Sequence, residues 1–289
     1  MESIGGLRRP LGLMLPGGGA LGSWQAACLA ELVSRGLRFD RILGFSAGAL
    51  CGAGYFLGRM DELVERWREV DRGRILRLSP RWKPFTLFSG ASMWEAVEHA
   101  RDEERAKRLA ACELTVMAYC KDDGRTEYSR FTPGGQRGWD GPLAERLVAS
   151  CSIPAIFPPL EVHGRTYLDG VVPGAEPMRF DALAGCADVL CIEPVRPDEA
   201  GRRWWSPWRR YDQVGRDVCL KHMADGIASL GTASPAPRVF RVHPSETLSF
   251  SMLSFRSRWC GPAMELGRRD AEAFLRAPRA LDAEPSMSR

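Results

Sequence analysis

Residues 11–22, LGLMLPGGGALG, and residues 41–57, RILGFSAGALCGAGYFL, set the reading of this chain. Each runs from an apolar stretch through a glycine-rich turn into an apolar segment, the order of a parallel α/β unit. Leu11 to Leu15 reads as a buried strand and Leu21 to Ser34 as a helix stopped at Gly36. Arg41 to Phe45 is the next strand and Ala47 to Leu57 the next helix. Gly44-Phe45-Ser46-Ala47-Gly48 has the G-x-S-x-G form of a nucleophile elbow, which holds a serine hydroxyl above a sheet. Gly44 and Gly48 let the strand and helix backbones pass where a β-carbon would collide. Gly17-Gly18-Gly19-Ala20-Leu21-Gly22 offers backbone N–H groups at a helix start, aimed at a developing negative charge. A nucleophile and an oxyanion cradle in one chain predict acyl transfer from an ester.

Composition narrows the alternatives. Apolar residues make up 45% and charged residues 26%, which places the chain among soluble globular proteins. A net charge of +4 over 289 residues does not imply nucleic acid, and none is expected as a partner. The nine cysteines are scattered without a C-x-x-C pair, and read as buried, reduced thiols of a cytosolic protein. Four histidines (99, 163, 222 and 243) show no metal-ligand spacing, so neither a metal nor another cofactor is expected. The apolar run after Arg8 and Arg9 is too short for a secretory segment, and Ala47 to Leu57 is too short to span a membrane. The expectation is a cytoplasmic protein that is soluble or, at most, peripheral at a membrane.

Further along, Met60 to Val70 reads as a helix and residues 73 to 91 as irregular, broken by Pro80 and Pro84. Ser92 to Leu109 reads as one helix, with Ser92 and Glu95 as a capping box. Glu113 to Cys120 and Thr126 to Phe131 form a hairpin through Asp122-Asp123-Gly124. A short helix follows at Leu143 to Ser150. Strands are expected at Val189 to Ile192 and Val239 to Val242, and helices around 212 to 230 and 262 to 276. One domain over residues 8–277 is expected, with a patternless tail over 278–289.

A serine needs a base before it is a useful nucleophile. His243, after the strand Val239 to Val242, fits the Ser, Asp/Glu, His order of an α/β-hydrolase-type esterase. Asp169, in the turn Leu168-Asp169-Gly170, is the alternative; a carboxylate serves only in a water-poor setting, with which Leu168, Val171 and Val172 are consistent. Asp169 also fits a plain turn aspartate before glycine.

In four places, in order, the chain resembles the patatin-like phospholipases. These are Gly17 to Gly22, Gly44 to Gly48, the segment Ala149-Ser150-Cys151-Ser152-Ile153-Pro154-Ala155-Ile156-Phe157-Pro158-Pro159, and Tyr167-Leu168-Asp169-Gly170. The resemblance runs from about residue 11 to about residue 195. It implies a three-layer α/β/α patatin-like fold with a central, mainly parallel sheet. It implies a Ser46–Asp169 dyad in place of a triad, and an oxyanion hole from the N–H groups of Gly17, Gly18 and Gly19. Gly22, Gly44, Gly48 and Gly170 then support the motifs, and no metal is needed. The implied activity is lipid acyl hydrolysis, as a phospholipase A or esterase, with acyl transfer or a catalytically weak lipid-binding module as alternatives. Two positions depart from the family pattern: Leu21 stands where an arginine is frequent, and Val171 where a second glycine follows the Asp-Gly pair.

Residues 201–217 hold Arg202, Arg203, Arg209, Arg210 and Arg216 among Trp204, Trp205, Trp208 and Tyr211. That mixture suits the headgroup layer of an anionic membrane, and equally a solvated loop with tryptophans packed inward. The segment Arg72 to Phe88 is similarly basic and aromatic, and reads as an insertion loop, as the border of an acyl channel or as a lid.

Overall fold

The computed structural model describes residues 4–135, 138–203 and 205–281. Its strands are β1 (Leu11–Leu15), β2 (Arg41–Gly44), β3 (Leu78–Trp82), β4 (Phe85–Phe88), β5 (Glu113–Cys120), β6 (Arg125–Phe131), β7 (Leu160–Val162), β8 (Arg165–Leu168), β9 (Asp188–Ile192) and β10 (Arg238–Val242). Its helices are α1 (Gly22–Ser34), α2 (Ala47–Phe56), α3 (Met60–Arg68), α4 (Arg72–Ile75), α5 (Ala91–Ala96), α6 (Glu103–Leu109), α7 (Leu143–Ser150), α8 (Pro207–Leu230) and α9 (Ser257–Arg276).

Eight strands form one sheet in the order β10-β9-β1-β2-β5-β8-β7, with β6 also along β5. The run β10 to β5 is parallel, and β6, β7 and β8 are antiparallel additions. Successive side chains point to opposite faces, so each central strand feeds two cores. Leu11, Leu13 and Leu15 of β1, with Leu190 and Ile192 of β9, face a core shared with α1, α2, α7 and α9. Met14, Leu43, Val189 and Cys191 face the opposite core, closed by Met178, Phe180 and the α8 residues Cys219 and Met223. The result is the expected three-layer α/β/α arrangement with a mainly parallel central sheet.

The sheet brings its C-terminal edges together. β2 pairs with residues 113–116 of β5 and ends at Gly44. β5 runs on, and its next edge positions, Tyr119 and Cys120, pair with Leu168 and Tyr167 of the antiparallel β8. The chain leaving β8 therefore points back toward the end of β2, which delivers Asp169 to the turn carrying Ser46.

Three expectations are corrected. Residues 73–91 are not irregular: they hold α4 and the hairpin β3–β4. Pro80 is accommodated where the hairpin register shifts between Leu78 and Arg81, and Pro84 lies in its turn. Ser92 to Leu109 is not one helix. The Ser92 hydroxyl donates to Ile75 O instead of capping, and Asp102 restarts the helix by accepting the Arg105 N–H at 2.9 Å. The last two helices begin earlier than expected, α8 with Pro207 in its first turn and α9 at Ser257. Beyond α9, the Leu281 N–H donates to Val239 O at 2.7 Å, while 282–289 of the expected tail lie outside the described residues.

Gly48 is where the turn is tightest. A β-carbon there would sit 1.9 Å from Leu15 O, so α2 can start under β1 only without one. Gly48→Ala is expected to cost about 3 kcal/mol of stability. Gly261, within α9, has nothing from elsewhere in the fold within 4 Å of where a β-carbon would stand, and its next neighbour in the chain is Pro262. Gly261→Ala is expected to change stability by less than about 1 kcal/mol, because the better helix propensity of alanine is set against crowding of its β-carbon by the Pro262 ring. Urea unfolding followed by circular dichroism checks both; equal effects of the two changes would contradict the packing argument.

Candidate active site

Ser46 sits between β2 and α2 at φ 54°, ψ −132°, a conformation that costs a non-glycine residue energy and persists only when its surroundings enforce it. The enforcement is visible. The Ser46 N–H donates to Ser150 Oγ at 2.9 Å, and the Ser150 hydroxyl donates to Met117 O at 2.6 Å, tying the turn to α7 and β5. Ala49 N–H and Leu50 N–H both donate to Ser46 O, starting α2.

Asp169 follows β8 and is fully buried. Its N–H donates to Ser152 O at 3.0 Å, and its Oδ1 accepts the Val171 N–H at 2.8 Å. Oδ2 is buried without a hydrogen-bond partner. Burial pushes the carboxyl up to about 7, against the opposing pull of the Ser46 hydroxyl and the Val171 N–H. The water-poor setting comes from residues distant in sequence, since Leu168, Val171 and Val172 are themselves only half-buried.

Ser46 and Asp169 line one cavity of about 100 Å³ with Gly18, Gly19, Tyr211 and Met252. None of Gly17, Gly18 and Gly19 donates its N–H in a turn or loop hydrogen bond among the described residues. Gly19 holds φ 51°, and a β-carbon there would strike Met252 O at 2.2 Å. That carbonyl accepts the Ala20 N–H at 2.7 Å, and the Met252 N–H donates to Asp212 Oδ1 at 2.6 Å. Asp212 in turn accepts from Arg216, which is buried against Glu199 at 2.5 Å and donates to the carbonyls of Leu248 and Phe250. The glycine loop is thus moored to α8 through a chain of charge-assisted hydrogen bonds. Leu21, one of the two departures, is fully buried, and Val171, the other, is at the cavity wall.

His243 does not join this site. It is exposed after β10, at the far edge of the sheet, and its Nδ1 lies 3.3 Å from Pro244 O. The histidine near Ser46 is His222 of α8, unmarked by any sequence motif. It donates from Nε2 to Gly170 O at 2.9 Å and meets the Phe45 ring edge-on, and burial lowers its pKa. Ser150 and Ser152, which hold Ser46 and Asp169, lie in the proline-rich segment quoted for the resemblance, but nothing in that pattern distinguished them. A second, apolar cavity of about 330 Å³ runs along α2 from Leu50 to Leu57 and shares no lining residue with the first. Among the described residues, the one cluster with metal-ligand potential is Cys120, Asp123 and Glu127. Arg165 pairs with both carboxylates there.

A strained serine after a parallel strand, a buried aspartate and a glycine loop line one cavity. The sequence model of the patatin-like phospholipase family matches residues 13–178, and the chain belongs to that family. An uncharacterised NTE family protein of Mycobacterium tuberculosis is 28% identical over 193 residues, covering 65% of this chain and 50% of the relative. Patatin-like phospholipase domain-containing protein 7 of Rattus norvegicus is 25% identical over 230 residues, covering 74% and 16%. The chain spans half or less of the length of these relatives. Among solved structures, VipD from Legionella pneumophila aligns at TM-score 0.45 and 12% identity, over 98% of this chain and 70% of that one.

The Asp169 carboxyl makes stability depend on pH. Its folded pKa lies above the ordinary value of 3.8, so the folded state holds the proton more tightly than the unfolded chain. That contribution is complete below about pH 4 and is lost as pH rises through about 7. Asp169→Asn, which cannot ionise, is expected to gain on the unmodified protein as pH rises from about 4 to about 7, by at most on the order of 4 kcal/mol. Thermal melts across that range check this; parallel curves for the two proteins would sink it.

Proposed function

We propose that residues 8–277 act as one serine lipid acyl hydrolase unit, cleaving acyl esters through a Ser46–Asp169 dyad and an acyl-enzyme. The observation that carries this reading is a buried carboxyl with a pKa of about 7 in the same small cavity as a serine on a strained turn. A base poised near neutral pH is what general-base catalysis favours. Family membership supports the same chemistry.

In this reading Asp169 takes the proton of Ser46 as Oγ bonds to the ester carbonyl carbon. The N–H groups of Gly17, Gly18 and Gly19 stabilise the tetrahedral oxyanion, each donor contributing roughly 2.7–4 kcal/mol. The carbon–oxygen bond to the alcohol breaks, and the proton on Asp169 goes to the leaving oxygen. Water then attacks the acyl-enzyme, giving its proton to Asp169, and Ser46 leaves with that proton restored. His222 keeps the Asp169-Gly170 turn in place through Gly170 O. No step requires a metal ion. The lipid ester is presented at an anionic membrane that residues 201–217 contact, of which Trp204 lies outside the described residues. The nine unpaired, buried thiols suit a reducing, cytoplasmic setting. Among the described residues no helix is long and apolar enough to cross a membrane.

The test is hydrolysis of short-chain esters and phospholipid vesicles, with divalent ions chelated. Ser46→Ala and Asp169→Asn are each expected to lose about a thousandfold or more in kcat/KM, and His243→Ala to lose nothing. The rate is expected to rise with pH through about 7, because only ionised Asp169 accepts a proton. Loss in the His243 variant with the fold intact would replace the dyad by a triad. Vesicle binding without turnover by the unmodified protein would make it a lipid-binding module, and transfer to an added alcohol an acyltransferase.

A further inference from the structure

The hairpin β3–β4 presents an apolar, basic surface to solvent. Trp82 is 85% exposed, Leu78 and Phe85 are also exposed, and Trp82 and Phe85 pair across the turn with ring centroids 6.2 Å apart. Residues 72–88 contain Arg72, Arg74, Arg77, Arg81 and Lys83 and no acidic residue. Of these, Arg77 pairs with Glu95 of α5. A folded chain has no reason of its own to leave an aromatic pair and a leucine in water together, and such patches mark contact sites.

The position of the hairpin is specific. Its base is stitched to the segment that forms the wall of the Ser46 cavity: Leu87 N–H donates to Ala155 O at 3.1 Å and Phe88 N–H to Ile156 O at 2.9 Å. Ile153 and Pro154 of that segment line the cavity. From the other side, the Tyr211 hydroxyl of α8 donates to Pro154 O at 2.9 Å. Tyr211 and Val214 also line the cavity, and Trp208 and Trp205, the latter 96% exposed, lie at the start of the same helix and just before it. Two aromatic and basic projections, remote in sequence, are therefore joined through residues 153–156 beside one cavity mouth. Seven of the ten large apolar residues that are exposed among the described residues belong to these two projections, which makes the patch a concentration and not scatter.

The cavity itself points to the occupant. About 100 Å³ takes an ester group and little more, whereas sites that enclose a drug-sized ligand span roughly 300–1,000 Å³. The remainder of a lipid would lie outside, at the rim. We propose that the β3–β4 hairpin is a second membrane-docking element, which with the start of α8 seats the cavity mouth on an anionic lipid surface. Leu78, Trp82 and Phe85 enter the boundary between headgroups and acyl chains, and Arg81 and Lys83 meet headgroup phosphates. The inference rests on reading the cavity as a lipid acyl hydrolase site, but the hairpin's affinity for a membrane can be measured without turnover.

The experiment compares the unmodified protein with Leu78→Ser/Trp82→Ser/Phe85→Ser and with Arg81→Glu/Lys83→Glu. Each is sedimented with phosphatidylcholine vesicles, with and without phosphatidylglycerol, and assayed on a water-soluble short-chain ester and on vesicle phospholipid. The apolar variant is expected to lose at least about tenfold in vesicle affinity. The charge variant is expected to lose about tenfold on phosphatidylglycerol-containing vesicles only. Both are expected to keep the soluble-ester rate, which also reports an intact fold, while losing hydrolysis of vesicle lipid. Vesicle binding equal to that of the unmodified protein in both variants would overturn the proposal. So would no vesicle binding by the unmodified protein, hairpin-dependent dimerisation in size-exclusion chromatography, or hairpin-dependent binding of a DNA duplex in preference to vesicles. If no sample hydrolyses any ester yet vesicle affinity falls as stated, the docking surface stands and the hydrolase reading fails.

Discussion

Burying a carboxyl beside a hydroxyl, with water kept out, is the constraint around which this molecule is arranged. An isolated buried carboxylate is strongly unfavourable, and the protein limits the penalty by giving Asp169 few donors and letting it titrate near neutrality. Holding it there takes structure from several directions. β8 must run antiparallel to β5 beyond the end of β2, the Ser152 carbonyl must accept the Asp169 N–H, and His222 must accommodate the Gly170 carbonyl. The short antiparallel extension of an otherwise parallel sheet is thus what turns two turns, remote in sequence, into one site.

The glycine loop obeys a second constraint. In the proposed reaction the loop's N–H groups receive the oxyanion's charge and cannot be committed to the protein, and Gly17, Gly18 and Gly19 make no turn or loop hydrogen bond through their N–H groups among the described residues. Its position is secured from outside by the Ala20 N–H on Met252 O and, behind Met252, by the Asp212–Arg216–Glu199 group. Arg216 is the hub because guanidinium can satisfy two carboxylates and two carbonyls at once in a fixed plane. This mooring lies beyond the stretch that the family model matches, so α8 supplies from the second half of the chain what the motifs of the first half need.

Legibility in the sequence followed the range of the interaction. β1, α1, β2 and α2 were readable because one run of apolar residues and one glycine decide each of them. β3–β4 and the break before α6 were not, since prolines at a register shift and an aspartate cap override the simple pattern. For the site, Ser46 and the glycine loop announced themselves by spacing. Asp169 came from the resemblance, with His243 left open by the residues alone. The setting of Asp169 could not be read from its neighbours, because β5, α7 and α8 create it. Ser150 and His222 reach the two turns through hydrogen bonds that span 104 and 52 residues, and no local pattern encodes a contact of that separation.

The same logic connects the interior to the surface. The segment at residues 153–156 touches everything: its first two residues wall the cavity, its carbonyls bind the hairpin and α8, and Ala155 is held at φ 62° to make those bonds possible. A backbone strained at that point is what aiming three neighbouring carbonyls at two separate elements requires. Both projections are thus hydrogen-bonded to the same short stretch of cavity wall. On the proposed reading, a narrow cavity with an apolar, basic rim takes its ligand from a surface, and only the reacting ester enters the buried interior. In that geometry the membrane would do for the acyl chains what the protein's own core does not, and the small volume around Ser46 would suffice.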